Sequence, residues 1–293
     1  MNQATEKRLA LAHKIAPAYA ANPKVAVVVL AGSVGRGTAD DFSDIEIDVF
    51  WNTAPTDDER HALIAAGGGV IYHMHPFEQD EWAETFFIEG IKVDTSQFLV
   101  ETMDRYLADA VERADTAVDP QLLIAAIQHG LPLHGHAVVE HWRARAAIYP
   151  DALVRAMVAQ YLDFRPRFFT EMLAARNDLL ILHRALVEIE HRILGVLMGL
   201  NRLYMAHPVF KWMDWQIAQM RIAPPDLARR LRQILSAEPQ AASRQINQLI
   251  EEIFGLVEQH LSGFDTTEAW AEFDQPRDRT GQYLSGEQSH GEH

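Results

Sequence analysis

Two short stretches carry residues able to do chemistry together. Gly32 and Ser33 follow an apolar run, Val25 to Leu30, and the sequence Asp44-Ile45-Glu46-Ile47-Asp48 follows ten residues later. A glycine after a strand lets the backbone approach a phosphate closely, because no Cβ stands in the way. The Ser33 hydroxyl can donate to a phosphate oxygen, and the N–H groups of a helix opening there would point at the same anion. Arg36, one turn further on, can pair with phosphates through its planar fork of donors. The acidic residues alternate with apolar ones. In a strand such alternation puts Asp44, Glu46 and Asp48 on one face and Ile45, Ile47 and Val49 on the other. Burying the second face is favourable. Three carboxylates side by side repel one another, so a cation must offset them, and a divalent metal is the usual one.

Other chemistries find less support. The glycines at 32, 35 and 37 do not form G-x-G-x-x-G, and no Gly-Lys-Ser/Thr occurs, so neither a dinucleotide fingerprint nor a P-loop is present. His73 and His75 alternate with apolar residues but have no third ligand at a matching spacing. They read as edge-strand histidines rather than a metal pair. The chain has no cysteine, which excludes disulfides, thiolate zinc sites and cysteine nucleophiles.

The elements that must position the two stretches follow from pattern and punctuation. Thr5 to Ala21 has an apolar helical stripe ended by Asn22-Pro23. Val25 to Leu30 has the composition of a buried strand, and Asp44 to Trp51 alternates as a second strand. Asp57 to Ala66 reads as a helix behind Thr56, a good N-cap. Gly67-Gly68-Gly69 reads as a turn, and Val70 to Met74, Phe86 to Glu89 and Ile91 to Phe98 as further strands. Glu101 to Arg113 and Pro120 to His129 read as helices. Leu131 to Gly135 reads as a connector, and no strand pattern appears after it. Asp151 to Ala175 reads as one long helix kinked at Pro166. Leu179 to Tyr204 is a wide apolar stripe suited to the buried centre of a bundle, with Gly195 and Gly199 allowing close packing. Two more helices follow, one behind Pro224-Pro225-Asp226 to Leu235 and one over Ala241 to Leu261. The expected fold class is α+β: a small mixed β-sheet flanked by helices, then an all-α helical bundle. The expected division is residues 1–116 for the sheet domain, 117–273 for a helical domain that completes a cleft, and 274–293 for a polar, disordered tail.

Composition sets the outer limits. The 293 residues suffice for two domains with a sizeable core. The net charge of −15 argues against duplex nucleic acid, whose binding relies on neutralising phosphates. It is compatible with a cationic substrate steered by the field, and equally with plain solubility. Met1 to Lys14 has no signal-peptide core, and no apolar run approaches the ~18–20 residues needed to span a bilayer. The expected location is the cytoplasm.

The order strand, Gly-Ser, spacer, acid-x-acid resembles the nucleotidyltransferase superfamily that includes DNA polymerase β. Gly32-Ser33-Val34-Gly35-Arg36 with Ser43-Asp44-Ile45-Glu46 is similar, more narrowly, to kanamycin nucleotidyltransferase, which also uses Asp-x-Glu. Arg36-Gly37-Thr38-Ala39 resembles the minimal nucleotidyltransferases as well. The strong part of the likeness covers roughly residues 24 to 52. It implies that Asp44, Glu46 and a later acid hold one or two Mg²⁺, and Asp94 in Lys92-Val93-Asp94 is the best candidate for that acid. It implies that Gly32, Ser33 and Arg36 bind the phosphates of a nucleoside triphosphate, ATP first among them. A weaker likeness in the second domain implies Asp163 as the general base and Arg167 and Lys211 as nucleotide contacts. Asp163 and Arg167 are four residues apart, so on a helix they would share a face; a surface ion pair is the other reading of that spacing. The implied activity is metal-dependent transfer of a nucleoside monophosphate to a hydroxyl, with an aminoglycoside-type antibiotic as acceptor. Nucleotidylation of a protein or tRNA, and a nucleotide-binding module without turnover, stay open beside it. A homodimer is implied only by analogy.

Overall fold

The computed structural model describes residues 2–276, so most of the expected tail lies outside the described residues. The described chain is α+β, a six-stranded mixed sheet with flanking helices followed by a run of helices. It divides into two compact units, residues 2–150 with Tyr204–Ala206, and Asp151–Leu203 with residues 207–276.

The first unit begins with α1 (Gln3–Ala20), capped by the Asn2 side chain on the Thr5 N–H. Next come β1 (Val25–Leu30), the four-residue α2 (Gly32–Gly35) and β2 (Ile45–Trp51). The helix α3 (Asp57–Ala66) starts in a capping box: Thr56 accepts from the Glu59 N–H and Glu59 accepts from the Thr56 N–H. A meander follows, β3 (Val70–Glu78), β4 (Glu81–Ile88) and β5 (Ile91–Leu99), then α4 (Val100–Arg113) and α5 (Val118–His129). The sheet order is β3-β4-β5-β2-β1, completed by β6 (Leu131–His134) on the far edge. Among the described residues only β2 and β5 run parallel, in the register Ile45↔Val93 through Trp51↔Leu99.

One face of the sheet is apolar. Ile45, Ile47, Val49 and Trp51 are fully buried there with Leu11, Ile15 and Tyr19 of α1 and Ile64 of α3. A polar network also lies inside. Arg60, 2 % exposed, pairs with Glu84, which also accepts from Thr95 and Gln97; Gln97 in turn accepts from the Trp51 indole at 2.8 Å. Nothing in the local pattern of either residue announces this pair.

Two expectations change here. Leu131–His134 is a strand, not a connector: it pairs antiparallel with β1, a partner about a hundred residues away. The helix α6 (His136–Ala146) follows it and buries Trp142 against Phe50 of β2, ring centroids 4.8 Å apart. The sequence reading divides the chain after residue 116, whereas the compact units divide after Pro150: β6 joins the sheet, α6 packs on β1 and β6, and α5 packs on α4 and α6.

The second unit holds α7 (Asp151–Tyr161), α8 (Arg167–Ala175), α9 (Leu179–Leu200), α10 (Met213–Ile217), α11 (Leu227–Ser236), α12 (Pro239–His260) and α13 (Thr267–Phe273). The helix α9 is its buried centre. A Cβ at Gly195 would run into the Tyr161 ring, and one at Gly199 into Met157, so these glycines let α7 close on α9. The long helix expected over 151–175 is two helices. The segment 162–166 between them is non-helical; Pro166 disfavours the α conformation at Arg165 and has no N–H to donate. No helix among the described residues is long and apolar enough to cross a membrane.

Candidate active site

The Gly-Ser turn and the acidic strand are tied together by backbone and side chain. The Ala31 N–H donates to the Glu46 carbonyl at 2.9 Å, which aligns the end of β1 with the start of β2. Gly32 then turns with φ +59°, a region that a Cβ makes costly. A Cβ built on Gly32 would collide with the Glu46 carboxylate. The left-handed turn therefore favours glycine, and the Glu46 carboxylate beside it is the end of a flexible side chain that can move aside. Ser33 is buried, and its carbonyl accepts from the Thr38 N–H at 2.8 Å, closing the loop. Arg36 is half-buried; burial lowers its pKa and the charge of Glu46 works in the other direction.

Parallel pairing of β2 with β5 sets Glu46 beside Asp94, and β4 adds Thr85 beside Asp94. Asp44 stands just before β2, two residues ahead of Glu46. The three acids named from the sequence thus neighbour one another on one sheet face. They do not converge on one point: among the described residues no three His, Asp or Glu side chains are grouped to hold a metal ion. A cation of the protein stands between two of them instead. Lys92 Nζ lies 2.6 Å from Asp94 Oδ2 and 3.5 Å from Asp44 Oδ2. The other Asp94 oxygen, Oδ1, accepts from the Thr85 hydroxyl at 2.7 Å. The two carboxylates raise the Lys92 pKa, Asp94 foremost.

Asp48, next on the same face, is the least compensated acid. It is 7 % exposed, and its Oδ2 has no hydrogen-bond partner. Burial, with Glu46 and Glu81 adding repulsion, pushes its pKa up to about 8. The alternation of acids placed Asp48 on this face; its burial depends on the layers packed around β2 and could not be read locally. A cleft of about 660 Å³ opens beside Asp44 and Lys92, with Lys7, Arg8, Phe42 and Phe87 also on its walls. Phe42 is 97 % exposed.

The candidates in the second unit are placed differently from the expectation. Asp163 lies between α7 and α8, outside either helix, and pairs with Arg192 at 3.2 Å. Arg167 opens α8, pairs with Glu251 and Asp274, and lies over the Phe273 ring. The two residues share no helix face, so the argument from four-residue spacing fails. The helix break before Pro166 is the cause. Lys211 is exposed in a turn, and its carbonyl accepts from Gln216. The unit holds a carboxylate that the sequence reading missed. Glu190 on α9 is 6 % exposed with Oε1 unpartnered, and burial pushes its pKa up to about 8. A charged residue inside the apolar stripe of Leu179 to Leu200 was the one available signal.

The fold and this acidic face together define an α+β protein with a carboxylate site on a mixed sheet. Residues 117–213 match the family model described as Domain of unknown function (DUF4037), a span that crosses from the first unit into the second. Among solved structures, the chain is similar to a nucleotidyltransferase-like protein from Exiguobacterium sibiricum 255-15. The identity is 12% and the TM-score 0.41, over 95% of this chain and 82% of that one. No curated protein matches.

Proposed function

We propose that the chain transfers a nucleoside monophosphate from a magnesium-bound nucleoside triphosphate to a hydroxyl of a small-molecule acceptor. The oxygen of the acceptor forms a bond to the α-phosphorus, the bond from that phosphorus to the bridging oxygen breaks, and pyrophosphate leaves. The observation that carries the reading is the hydrogen bond from the Ala31 N–H to the Glu46 carbonyl at 2.9 Å, which sets the Gly-Ser turn against the acidic strand.

Asp44, Glu46 and Asp94 would hold Mg²⁺, which when bound supplies charge neutralisation for the triphosphate. Gly32, Ser33 and Arg36 bind and orient the phosphates. The proton of the acceptor hydroxyl passes to a carboxylate, either Asp163 or Asp94 where it is not a ligand. Arg167 and Lys211 belong to the proposal as nucleotide contacts; Arg167 would have to leave Glu251 and Asp274 to serve. The acceptor class proposed is an aminoglycoside-type antibiotic, compatible with the net charge of −15.

The test is incubation with Mg²⁺ and each labelled triphosphate, with and without aminoglycosides and lincosamides. Label on the drug together with pyrophosphate release is the expected result. Label on protein or tRNA would overturn the small-molecule acceptor, and binding without pyrophosphate release would overturn transfer. Asp44→Asn should cut turnover by more than the ~10–100-fold typical of losing an outer-shell metal partner, with an unchanged circular dichroism spectrum.

A further inference from the structure

Further along the same sheet face lies a row that the transfer reading does not use. Asp48 of β2 stands opposite Ser96 of β5, Ser96 opposite Ala83 of β4, and Ala83 opposite His75 of β3. Glu81, two residues from Ala83, shares its face. Glu81, Ala83 and Ser96 are partly exposed, whereas Glu84, Thr95 and Gln97, which alternate with them, are buried on the other face. Solvent therefore reaches this row, and its floor is made of small side chains. Asp119, in the first turn of α5, stands near Glu81: burial and the charge of Asp119 push the Glu81 pKa up, and His75 works in the other direction.

The protein supplies no lysine or arginine to these acids. Among the ion pairs of the described residues, none involves Asp48, Glu81 or Asp119. Asp48 is 7 % exposed, and its Oδ2 has no hydrogen-bond partner. A carboxyl oxygen withdrawn from water without a donor costs free energy, so a donor is wanted at this point of the row. The acids are not grouped to chelate one ion among the described residues. Donors spaced apart on one molecule fit them better, and ammonium groups give the strongest such bonds.

We infer that Asp48 and Glu81 seat the ammonium groups of the acceptor, an amino sugar with more than one primary amine, laid across Ser96 and Ala83. The inference rests on the transfer reading in calling this molecule the acceptor; the seat takes an amine whether or not transfer follows. The Ser96 hydroxyl and the His75 ring suit the hydroxyls of such a molecule. Asp48 is two residues from Glu46, about 7 Å along β2, so an acceptor seated here lies beside the Gly-Ser turn.

The experiment is calorimetric titration with kanamycin as the probe, without nucleotide and with divalent ions chelated. Glu81→Gln and Asp48→Asn keep the shapes of the side chains, and each should weaken binding roughly tenfold, the scale of one hydrogen bond to a charged group. Glu81 is partly exposed, so Glu81→Gln carries the test where Asp48→Asn alters folding. Glu89→Gln removes an equal charge from the exposed Lys14–Glu89 pair and should change binding less than about twofold. Kanamycin with its amines acetylated should not bind, and neither should the neutral sugar maltotriose.

Equal weakening in Glu81→Gln and Glu89→Gln would overturn the seat in favour of a general field effect. Equal binding of free and acetylated kanamycin would overturn the role of the amines. Equilibrium dialysis of a triphosphate with Mg²⁺, run on the same variants, separates the two readings. Triphosphate binding without kanamycin binding would overturn the seat and leave transfer standing. Kanamycin binding that depends on Glu81, with no triphosphate bound by any variant, would support the seat and remove the transfer reading.

Discussion

Replacing Glu190 by Gln should stabilise the protein, and the gain should grow with pH. Glu190 sits on the central helix α9, 6 % exposed, with Oε1 unpartnered. Its folded pKa of about 8 lies above the ordinary 4.5, with burial as the cause. The folded chain therefore holds this proton more tightly than the unfolded chain does. The associated stability is fully present below about pH 4.5 and is lost as the pH rises toward 8, where the loss levels off. Each unit of separation is worth 1.36 kcal/mol. At pH 7 the carboxylate thus costs roughly 3 kcal/mol relative to a neutral side chain of the same shape. Gln keeps the shape and cannot ionise. Urea denaturation of both proteins at pH 5, 6, 7 and 8 tests this, since taking the difference cancels every other titrating group. The expected difference is under ~1 kcal/mol at pH 5, rising to roughly 3 kcal/mol at pH 7. A difference that does not change with pH would refute the reasoning, because it would mean that Glu190 keeps its ordinary pKa in the folded chain.

Gly32→Ala should leave the fold nearly intact, at a cost of ~1–2 kcal/mol for the left-handed backbone. It should also push Glu46 aside, so triphosphate binding by equilibrium dialysis should fall much more than the melting temperature does. Arg60→Met should destabilise by ~3–5 kcal/mol in urea, because it strands the Glu84 carboxylate in the interior. The double variant Arg60→Met, Glu84→Gln should recover part of that loss.

Much of the scaffold was legible because its signals are local. Alternation in Asp44 to Trp51 put the acids on one face, and the structure shows them there. Thr56 and Glu59 form the capping reciprocity that their spacing allows. Gly195 and Gly199 mark the close packing of α7 on α9. Elsewhere the deciding partner is remote in sequence, or a proline outweighs the helical periodicity around it. The strand β6 is four residues long, contains Pro132, and exists because β1 offers it an edge. Asp163 and Arg167 share no helix because Arg165-Pro166 disfavours a continuous turn between them.

The sequence by itself determined the order of strand, glycine turn and acidic strand, since a two-residue period and a missing Cβ are properties of a few adjacent residues. It also determined the α+β class, since the periodicity changes along the chain. Only the tertiary structure decided which carboxylates have partners. Lys92 meets Asp44 across paired strands, Glu84 meets Arg60 from another element, and Asp48 and Glu190 lose water to layers packed over them. Charge compensation and desolvation depend on what lies within a few ångströms in space, and neighbours in sequence do not specify that.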